Sequence, residues 1–352
     1  MLAPLSDREI KLKGATKDIA SETHLRNLGV GVIGCGKIAE IGHLPAYLSC
    51  PGVQLKGISD VDRKRLSQMS NKFRVADTFT DYNDLLKRRD IDLLSVCVPP
   101  VLHHDIVLEA AKQGKHILCE KPFALSVSQA EKMNEAAQNY HVQLYAGFQS
   151  RFSATMSETM RLYRSGFIGK ISSIYVKCSS NAPSKATWYY DRSRGGGGAL
   201  FDIGQHPLDM VLHNFDGARL SSASFATVGS AGIDEMANLD LDYGDDLKAS
   251  IEVDWKAKTN SEVQMRLQGA KGYMLADIVR STIELKQNDI VLGRTMDRVT
   301  LHFQERMDPL WAEVWEFVRS VRDERRSNLL ATGEQALKPQ ELIEEAYSRF
   351  FK

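Results

Sequence analysis

The chain has 352 residues, which is enough for about two domains of ordinary size, and 43% of them are hydrophobic and can supply a core for each. Lysine plus arginine and aspartate plus glutamate number 45 each, so the formal net charge is zero and no basic field is available to hold a nucleic-acid backbone. No apolar run is long enough to span a bilayer. We therefore expect neither a nucleic-acid-binding nor a membrane protein.

The first 27 residues are rich in charge and have no continuous apolar stretch, so they lack the apolar region of a signal peptide and are predicted to form an N-terminal arm. The five cysteines contain no Cys-x-x-Cys pair, which is typical of a reducing compartment, so we expect a cytoplasmic protein. His103 and His104 are adjacent and point apart, and His206 and His213 lack a third ligand nearby in sequence. We therefore expect no metal site.

Residues 28–148 alternate short β-branched runs with amphipathic stretches, which indicates βαβ units, an α/β fold and a doubly wound parallel sheet of the Rossmann type. Ser126 and Gln129 predict a capping box ahead of a helix over residues 130–140. The predicted strands are 29–33, 53–59, 93–98, 116–119 and 143–148.

Residues 149–352 change to one helix ending near residue 165, followed mainly by strands, which predicts an α+β domain with a large, mainly antiparallel, open-faced sheet. An antiparallel sheet with one uncovered apolar face would associate in water, so we expect a homodimer or homotetramer through it. Residues 269–272 are predicted to form a hairpin turn, and helices over 311–323 and 338–350 to end the chain. The predicted strands are 171–178, 222–228, 238–243, 248–255, 261–267, 273–277 and 299–303.

A glycine turn follows the first predicted strand and opens a helix, with the pattern G-x-G-x-x-A at Gly34, Gly36 and Ala39. Gly34 permits the tight turn, Gly36 lets the backbone approach a pyrophosphate, and Ala39 lets the helix pack close to the strand. Lys37 and Ile38 lie at the helix N-terminus, where free N–H groups face the anion. This context predicts a dinucleotide site.

Asp60 ends the second predicted strand, about 20 residues after the glycine turn, where a carboxylate accepts hydrogen bonds from the ribose hydroxyls and repels a 2′-phosphate. This position favours NAD over NADP. Two alternatives remain: Asp60 could cap the helix that begins near Arg63, and Arg65 with its basic neighbours could bind a phosphate or stack on adenine.

A lysine and a glycine-rich segment carry the candidate chemistry. Lys121 follows the fourth predicted strand, at the carboxyl edge where ligands of such sheets bind. Asp202 and His206 would share one face of a helix, although Pro207 predicts that the helix begins late or is distorted there. An alcohol oxidised by a nicotinamide needs a base such as His206, a cation such as Lys121 to stabilise the alkoxide, and an orienting group such as Asp202. The alternative is a surface lysine, a capping aspartate and a buried structural histidine.

These motifs, with those at 99–103, 147–152 and 196–209, resemble the glucose-fructose oxidoreductase and inositol dehydrogenase family, Gfo/Idh/MocA, from about residue 28 to the C-terminus. The resemblance implies a Rossmann domain, an open-faced sheet domain, bound NAD or NADP, and a substrate between the domains. It implies that Lys121, Asp202 and His206 are the catalytic trio, with His206 as the acid/base and a cis Lys121-Pro122 bond. It implies that Lys121 contacts both the nicotinamide ribose and the substrate. The other residues that it adds to the cofactor site are Val98, Pro99, Pro100, His103 and Glu120.

We therefore predict an NAD-dependent dehydrogenase or reductase that acts on a secondary alcohol or ketone of a sugar, cyclitol or sugar derivative. Aromatic faces can stack on sugar C–H surfaces and arginines can grip hydroxyls, although packing under a loop is an equal alternative. Two other functions remain open: an NAD-dependent glycosidase that oxidises transiently, and a sensor without chemistry, against which the trio argues. The candidate substrate contacts, besides Asp202 and His206, are Gln149, Arg151, Trp188, Tyr190 and Arg192.

Overall fold

The computed structural model describes residues 27–184, 188–228, 232–257, 261–287 and 296–351, so residues 1–26 of the predicted arm lie outside the described residues. In these ranges no helix is both long and apolar enough to cross a membrane. The strands are β1 (Leu28–Ile33), β2 (Val53–Ser59), β3 (Thr78–Phe79), β4 (Leu93–Val96), β5 (His116–Cys119), β6 (Leu144–Ala146), β7 (Ile171–Ser179), β8 (Arg219–Val228), β9 (Ile233–Asp242), β10 (Lys248–Asp254), β11 (Glu262–Gly269), β12 (Gly272–Asp277), β13 (Thr282–Gln287), β14 (Met296–His302) and β15 (Ala331–Thr332).

The helices lie mainly between the strands of the first sheet and on one face of the second. They are α1 (Leu44–Ser49), α2 (Arg63–Phe73), α3 (Tyr82–Leu86), α4 (His103–Lys112), α5 (Val127–Asn139), α6 (Ala154–Arg164), α7 (Arg192–Gly195), α8 (Ala199–Ile203), α9 (Gln205–Leu212), α10 (Pro309–Arg322) and α11 (Gly333–Phe350).

The first sheet has the strand order β15-β6-β5-β4-β1-β2-β3. Strands β1 to β6 pair in parallel and β15 is antiparallel at the edge. Without β15 this is the order of dinucleotide-binding Rossmann folds, with the strand order reversing between β1 and β4. The predicted parallel sheet is confirmed. Strands β3 and β15, of two residues each, are too short for the sequence pattern to indicate.

Helices cover both faces of the first sheet. Helices α4 and α5 pack on one face with the start of α11, and α1 and α2 pack on the other with α10. Helix α5 begins at Val127, three residues before its predicted start, and only half of the predicted capping box forms. The Ser126 hydroxyl accepts from Gln129 N–H at 3.2 Å, whereas the Gln129 side chain accepts from Leu125 N–H at 3.1 Å.

The second sheet has the order β14-β13-β12-β11-β7-β10-β9-β8, and its neighbours are antiparallel except for the parallel pair β7 and β10. The mainly antiparallel sheet and the hairpin at Gly269 and Gly272 are thus confirmed. Strand β13 was missed, although Glu284 and Lys286 alternate with its buried residues as they do in a strand with one covered face. Strand β9 begins at Ile233 rather than at residue 238, and the sequence did not indicate its first residues because Asp234 and Glu235 interrupt the apolar pattern there.

One face of the second sheet packs on α6, α8, α9 and α11 and holds the largest core cluster. The opposite face is polar: Tyr175 donates to Glu252 at 2.8 Å, and the Arg266 guanidinium lies 4.2 Å from the centre of the Tyr273 ring. Lys177 pairs with a neighbouring glutamate at 3.2 Å. The expectation of an uncovered apolar face is therefore wrong for the described strands, and the homo-oligomer stays a prediction.

Candidate active site

The glycine turn lies between the carboxyl ends of β1 and β4. Gly34 has a φ of +93°, and a Cβ there would stand 2.4 Å from the carbonyl oxygen of Cys97. A Cβ on Gly36 would meet no atom within 4 Å, so the space above this residue is open. The chain then enters a π-helical turn at Ala39, which is fully buried, while Lys37 is exposed and Ile38 half-buried. This geometry fits a dinucleotide pyrophosphate at the turn.

Asp60 directly follows β2 and is hydrogen-bonded to the backbone of the glycine turn. Its carboxylate accepts from Cys35 N–H at 2.7 Å and from Asp62 N–H at 2.8 Å. The N-cap of α2 is Asp62, not Asp60, so the capping alternative does not apply to Asp60. Because a carboxylate has about four acceptor positions, Asp60 can still receive ribose hydroxyls.

Arg65 lies on the rim of the same turn. Its guanidinium donates to the carbonyl of Cys35 at 2.5 Å and to the carboxylate of Glu40 at 2.5 Å. Hydrogen bonds from Lys72 and Arg65 hold the pKa of Glu40 down at about 2. A 2′-phosphate at Arg65 would therefore compete with an ionised carboxylate.

Lys121 follows β5 and is joined to Pro122 by a cis peptide bond, as the family resemblance implies. Its ammonium donates to the Asp202 carboxylate at 3.0 Å and to the Asp202 carbonyl at 3.1 Å. Burial favours the neutral amine, but the Asp202 carboxylate outweighs it and holds the pKa of Lys121 above its usual value. Trp255 donates to the other carboxylate oxygen of Asp202 at 3.3 Å. Lys121 is thus a positioned cation.

The segment with Asp202 and His206 is two helices, because α8 ends at Ile203 and α9 begins at Gln205. The late start that Pro207 predicts is confirmed. His206 Nδ1 is buried with no hydrogen-bond partner among the described residues. Burial and the nearby Lys121 ammonium lower the pKa of His206 to about 3, so its imidazole is uncharged at neutral pH. The trio therefore combines a cation, its carboxylate partner and a free base.

His103 and Glu120, which the resemblance assigns to the cofactor, are bound to protein groups. The fully buried His103 ring contacts the carbonyl of Pro122 at 2.9 Å and that of Val98 at 2.8 Å, which ties together the loops that follow β4 and β5. Glu120 contacts His43 at 2.9 Å and the Lys121 N–H at 3.1 Å. Beside these loops, Pro99 is half-buried and Pro100 is buried.

The candidate substrate residues form a polar group, described first, and an aromatic group. Arg151 is bound by both Asp209 oxygens and by Gln335, and the Arg192 guanidinium lies 5.2 Å from the Tyr347 ring centre, so both arginines are engaged with protein groups. Gln149 keeps a buried side-chain oxygen without a partner among the described residues.

The aromatic group adjoins the trio. The rings of Trp188 and Tyr189 stack with centroids 3.8 Å apart, and Tyr190 lies 5.4 Å from Trp255, which bonds Asp202. These rings therefore form a wall beside the Asp202 carboxylate.

Sequence reasoning missed three supporting residues. Trp255 orients Asp202, and Gln205 accepts from Phe123 N–H at 3.3 Å, just after the cis bond. Asp234 accepts from Gly198 N–H at 3.1 Å and Leu200 N–H at 2.9 Å, which holds the start of α8. Gln205 could have been found from its place beside His206, whereas Trp255, which directly follows β10, and Asp234, on β9, lie in segments whose pattern gives no sign of these contacts.

Comparisons with known proteins agree with this arrangement. Residues 28–148 match an oxidoreductase family with an NAD-binding Rossmann fold, and residues 156–275 match the GFO/IDH/MocA C-terminal domain. The chain is 28% identical to the myo-inositol 2-dehydrogenase of Thermotoga maritima, over 83% of this chain and 88% of that protein.

Two solved structures share the fold. Levoglucosan dehydrogenase in complex with NADH has a TM-score of 0.82 at 19% identity, over 92% of this chain and 98% of that one. A 3-ketoreductase from Actinomadura kijaniata with NADP and TDP-benzene has a TM-score of 0.81 at 21% identity, over 92% and 98%. With both domains matched in order, the chain belongs to the GFO/IDH/MocA family of oxidoreductases, with an NAD-binding Rossmann domain.

Proposed function

We propose that the chain is an NAD-dependent dehydrogenase or reductase that transfers a hydride between the nicotinamide and a secondary alcohol or ketone of a sugar, cyclitol or sugar derivative. The observation that carries this proposal is the Lys121–Asp202 ion pair beside the uncharged His206, at the carboxyl edge of a Rossmann sheet. The names of relatives, myo-inositol 2-dehydrogenase and levoglucosan dehydrogenase, support a cyclic polyol as the substrate class.

When bound, the nicotinamide supplies the acceptor for the hydride, which leaves the alcohol carbon with both electrons of its C–H bond. The protein has to remove the hydroxyl proton as the carbonyl forms. Because His206 Nδ1 is buried, Nε2 is the nitrogen that takes this proton, and in ketone reduction it returns it. The Lys121 ammonium stabilises the alkoxide character of the oxygen, and Asp202 holds that ammonium in place.

The proposed dinucleotide site begins with Gly34, Gly36 and Ala39, where Lys37 and Ile38 present backbone N–H groups to the pyrophosphate. Asp60 receives the ribose hydroxyls, which favours NAD, and the tie between Arg65 and Glu40 supports the same preference. Val98, Pro99 and Pro100 border the nicotinamide side, and His103 and Glu120 support that side through backbone contacts.

The proposed substrate surface is the aromatic wall beside Asp202. Trp188 and Tyr190 present ring faces on which the C–H side of a sugar can stack, and Gln149 offers an unpartnered carbonyl oxygen. Arg151 and Arg192 would have to leave their present partners to reach a substrate, so we propose that they contribute less to substrate binding than the aromatic residues.

A panel of sugars, cyclitols and sugar derivatives tests the proposal by NADH absorbance, with product analysis and NADP in parallel. We expect one NADH for each carbonyl formed and a higher kcat/KM with NAD. Glycoside cleavage without net NADH would instead identify a glycosidase. Dinucleotide binding without turnover of any member of the panel would contradict the proposal.

A further inference from the structure

A buried series of hydrogen bonds connects the π-helical turn after Gly36 to the loop that follows β5 and contains Lys121. His43, at the end of the π-helical turn that starts at Ala39, contacts Glu120 at 2.9 Å through Nε2. The second oxygen of Glu120 accepts from the backbone N–H of Lys121 at 3.1 Å. One carboxylate thus joins the segment that receives the pyrophosphate to the residue that contacts the substrate oxygen.

The other nitrogen of His43 is also fixed. His43 Nδ1 lies 2.9 Å from the Ser95 hydroxyl on β4, and that hydroxyl lies 2.8 Å from the Tyr47 hydroxyl on α1. A carboxylate can only accept, so Nε2 carries the hydrogen towards Glu120 whether His43 is neutral or charged. The serine hydroxyl can donate to Nδ1 or accept from it, and therefore suits both states.

Ser95, His43 and Glu120 are the residue types of a hydrolytic triad, but their placement does not suit hydrolysis. Ser95 and His43 are fully buried, and the Ser95 oxygen is shared between His43 and Tyr47. No substrate carbonyl can approach such a hydroxyl. The chain of contacts is therefore best explained as a support for the neighbouring loop.

Glu120 is held on all sides. It is 4% exposed, and a Cβ on Gly147 would lie 3.2 Å from its carboxyl group. Burial would raise the pKa of Glu120, but the hydrogen bond from His43 and the nearby Lys121 charge outweigh it, and the pKa lies below its usual value. The ionised Glu120 thus contacts the backbone of Lys121, whereas Asp202 contacts its ammonium group.

We propose that His43 is a positioning residue for hydride transfer: its Nε2–H holds the Glu120 carboxyl group in place, and Glu120 fixes the backbone of Lys121. The inference rests on the proposed function only for the step that involves turnover. Without a donor at His43, burial favours the neutral form of the Glu120 carboxyl and raises its pKa relative to the parent. The Lys121 loop then loses an anchor while the glycine turn keeps its own contacts.

The test compares His43→Leu, which removes the donor, with His43→Gln, whose amide N–H can replace Nε2–H. We expect His43→Leu to lower kcat by about 10- to 100-fold, with the affinity for NADH changed by less than about threefold. Its kcat should rise with pH as Glu120 ionises, and His43→Gln should recover most of the loss. The matched control is His116→Gln, at the other end of β5, where the ring accepts from Gln143 N–H at 3.0 Å and does not contact Glu120.

Infrared spectroscopy supplies a readout without substrate. In a Glu313→Gln background, which removes the band expected from the neutral Glu313, His43→Leu should show a protonated carboxyl band at pH 7 that the same protein with His43 lacks and that disappears when Glu120→Gln is added. Absence of this band overturns the proposal whatever the kinetics, and so does a parental kcat in His43→Leu. If the parent turns over no substrate, the proposed function fails, while the band still decides whether His43 keeps Glu120 ionised.

Discussion

At the scale of single residues, two carboxylates contact different parts of Lys121. Asp202 contacts the ammonium, and Glu120 contacts the backbone N–H. The side chains of Lys121 and Asp202 are 20% and 14% exposed, so a substrate oxygen can reach the pair while most of the surrounding water is excluded. Charge held in such a site acts more strongly than at the surface.

Removing the ammonium tests its part in the chemistry. We expect Lys121→Met, which keeps the length of the side chain, to lower kcat by at least about 100-fold because nothing then stabilises the alkoxide. NADH should still bind, as fluorescence can show. Lys177→Met, which removes a paired lysine from the second sheet, is the matched control and should keep parental activity. Parental turnover in Lys121→Met would refute the assigned role.

The pKa of His206, lowered to about 3 by burial and by Lys121, predicts an unusual pH dependence. Alcohol oxidation needs the uncharged imidazole, which persists down to low pH, so kcat/KM for oxidation should not fall at pH 6.5. Ketone reduction needs a protonated donor and should slow continuously as the pH rises. Rate profiles in both directions measure this, and an acid limb of oxidation centred near 6.5 would count against the assignment.

At the scale of elements, two glycines of one turn should respond differently to the same change. Gly36→Ala adds a methyl group in open space, so we expect a parental unfolding free energy but at least about tenfold weaker NADH binding. Gly34→Ala combines a φ of +93° with a contact of 2.4 Å to Cys97 and should lose more than about 2 kcal/mol of stability. Urea unfolding and NADH fluorescence separate the effects. Parental NADH affinity in Gly36→Ala would exclude the pyrophosphate from this turn.

The end of β2 offers a second matched pair. Asp60→Ser should reduce the preference for NAD over NADP, because it removes the carboxylate that repels a 2′-phosphate. Asp62→Ser changes the neighbouring N-cap of α2 and should leave the preference unchanged, since serine also caps helices. The ratio of kcat/KM for the two cofactors is the measurement. An unchanged ratio in Asp60→Ser would remove Asp60 from the ribose site.

The sequence predicts features that are formed by consecutive residues better than contacts between residues that are far apart in the chain. The glycine turn was found because its strand, turn and helix are consecutive in the chain, and Lys121 because it follows a strand in the sheet that the pattern predicts. Trp255 and His43 could not be found, since each acts through a partner that is distant in sequence. The polar face of the second sheet was misjudged although the sequence shows it: Ser173, Tyr175 and Lys177 alternate with the buried residues of β7 and make its outward side polar.

At the scale of the whole molecule, α10 packs a glutamate against the first domain. Glu313 is fully buried and neither side-chain oxygen has a hydrogen-bond partner among the described residues, although the Phe148 N–H lies nearby. Burial raises the pKa of Glu313 well above its usual value, and repulsion from Glu120 adds to the shift. The folded protein therefore keeps this carboxyl neutral at a pH where the unfolded chain ionises it.

The sign of this linkage gives a stability prediction. The contribution of Glu313 is fully present below about pH 4.5, the ordinary value, and is lost as the pH rises towards the raised pKa of the folded state. Glu313→Gln cannot ionise, so it should be more stable than the parent by about 1–3 kcal/mol at pH 8, with a smaller difference at pH 4. Urea unfolding at several pH values measures this.

The control for that experiment lies on the same helix. Glu316 pairs with Arg325 at 2.9 Å, so Glu316→Gln should lose stability at pH 8 rather than gain it. A Glu313→Gln protein with the same pH dependence as the parent would show that Glu313 is ionised in the folded state.

The last part of the chain completes the first sheet. Strand β15 pairs with β6, α10 covers one face, and the start of α11 covers the other, although the whole second sheet comes between them in sequence. On the ribosome, the dinucleotide-binding half emerges first and waits for these segments until the whole second sheet has been synthesised. Its buried strands then depend on segments that are synthesised after the second sheet, so a nascent chain stalled before α10 would be a target for chaperones and proteases.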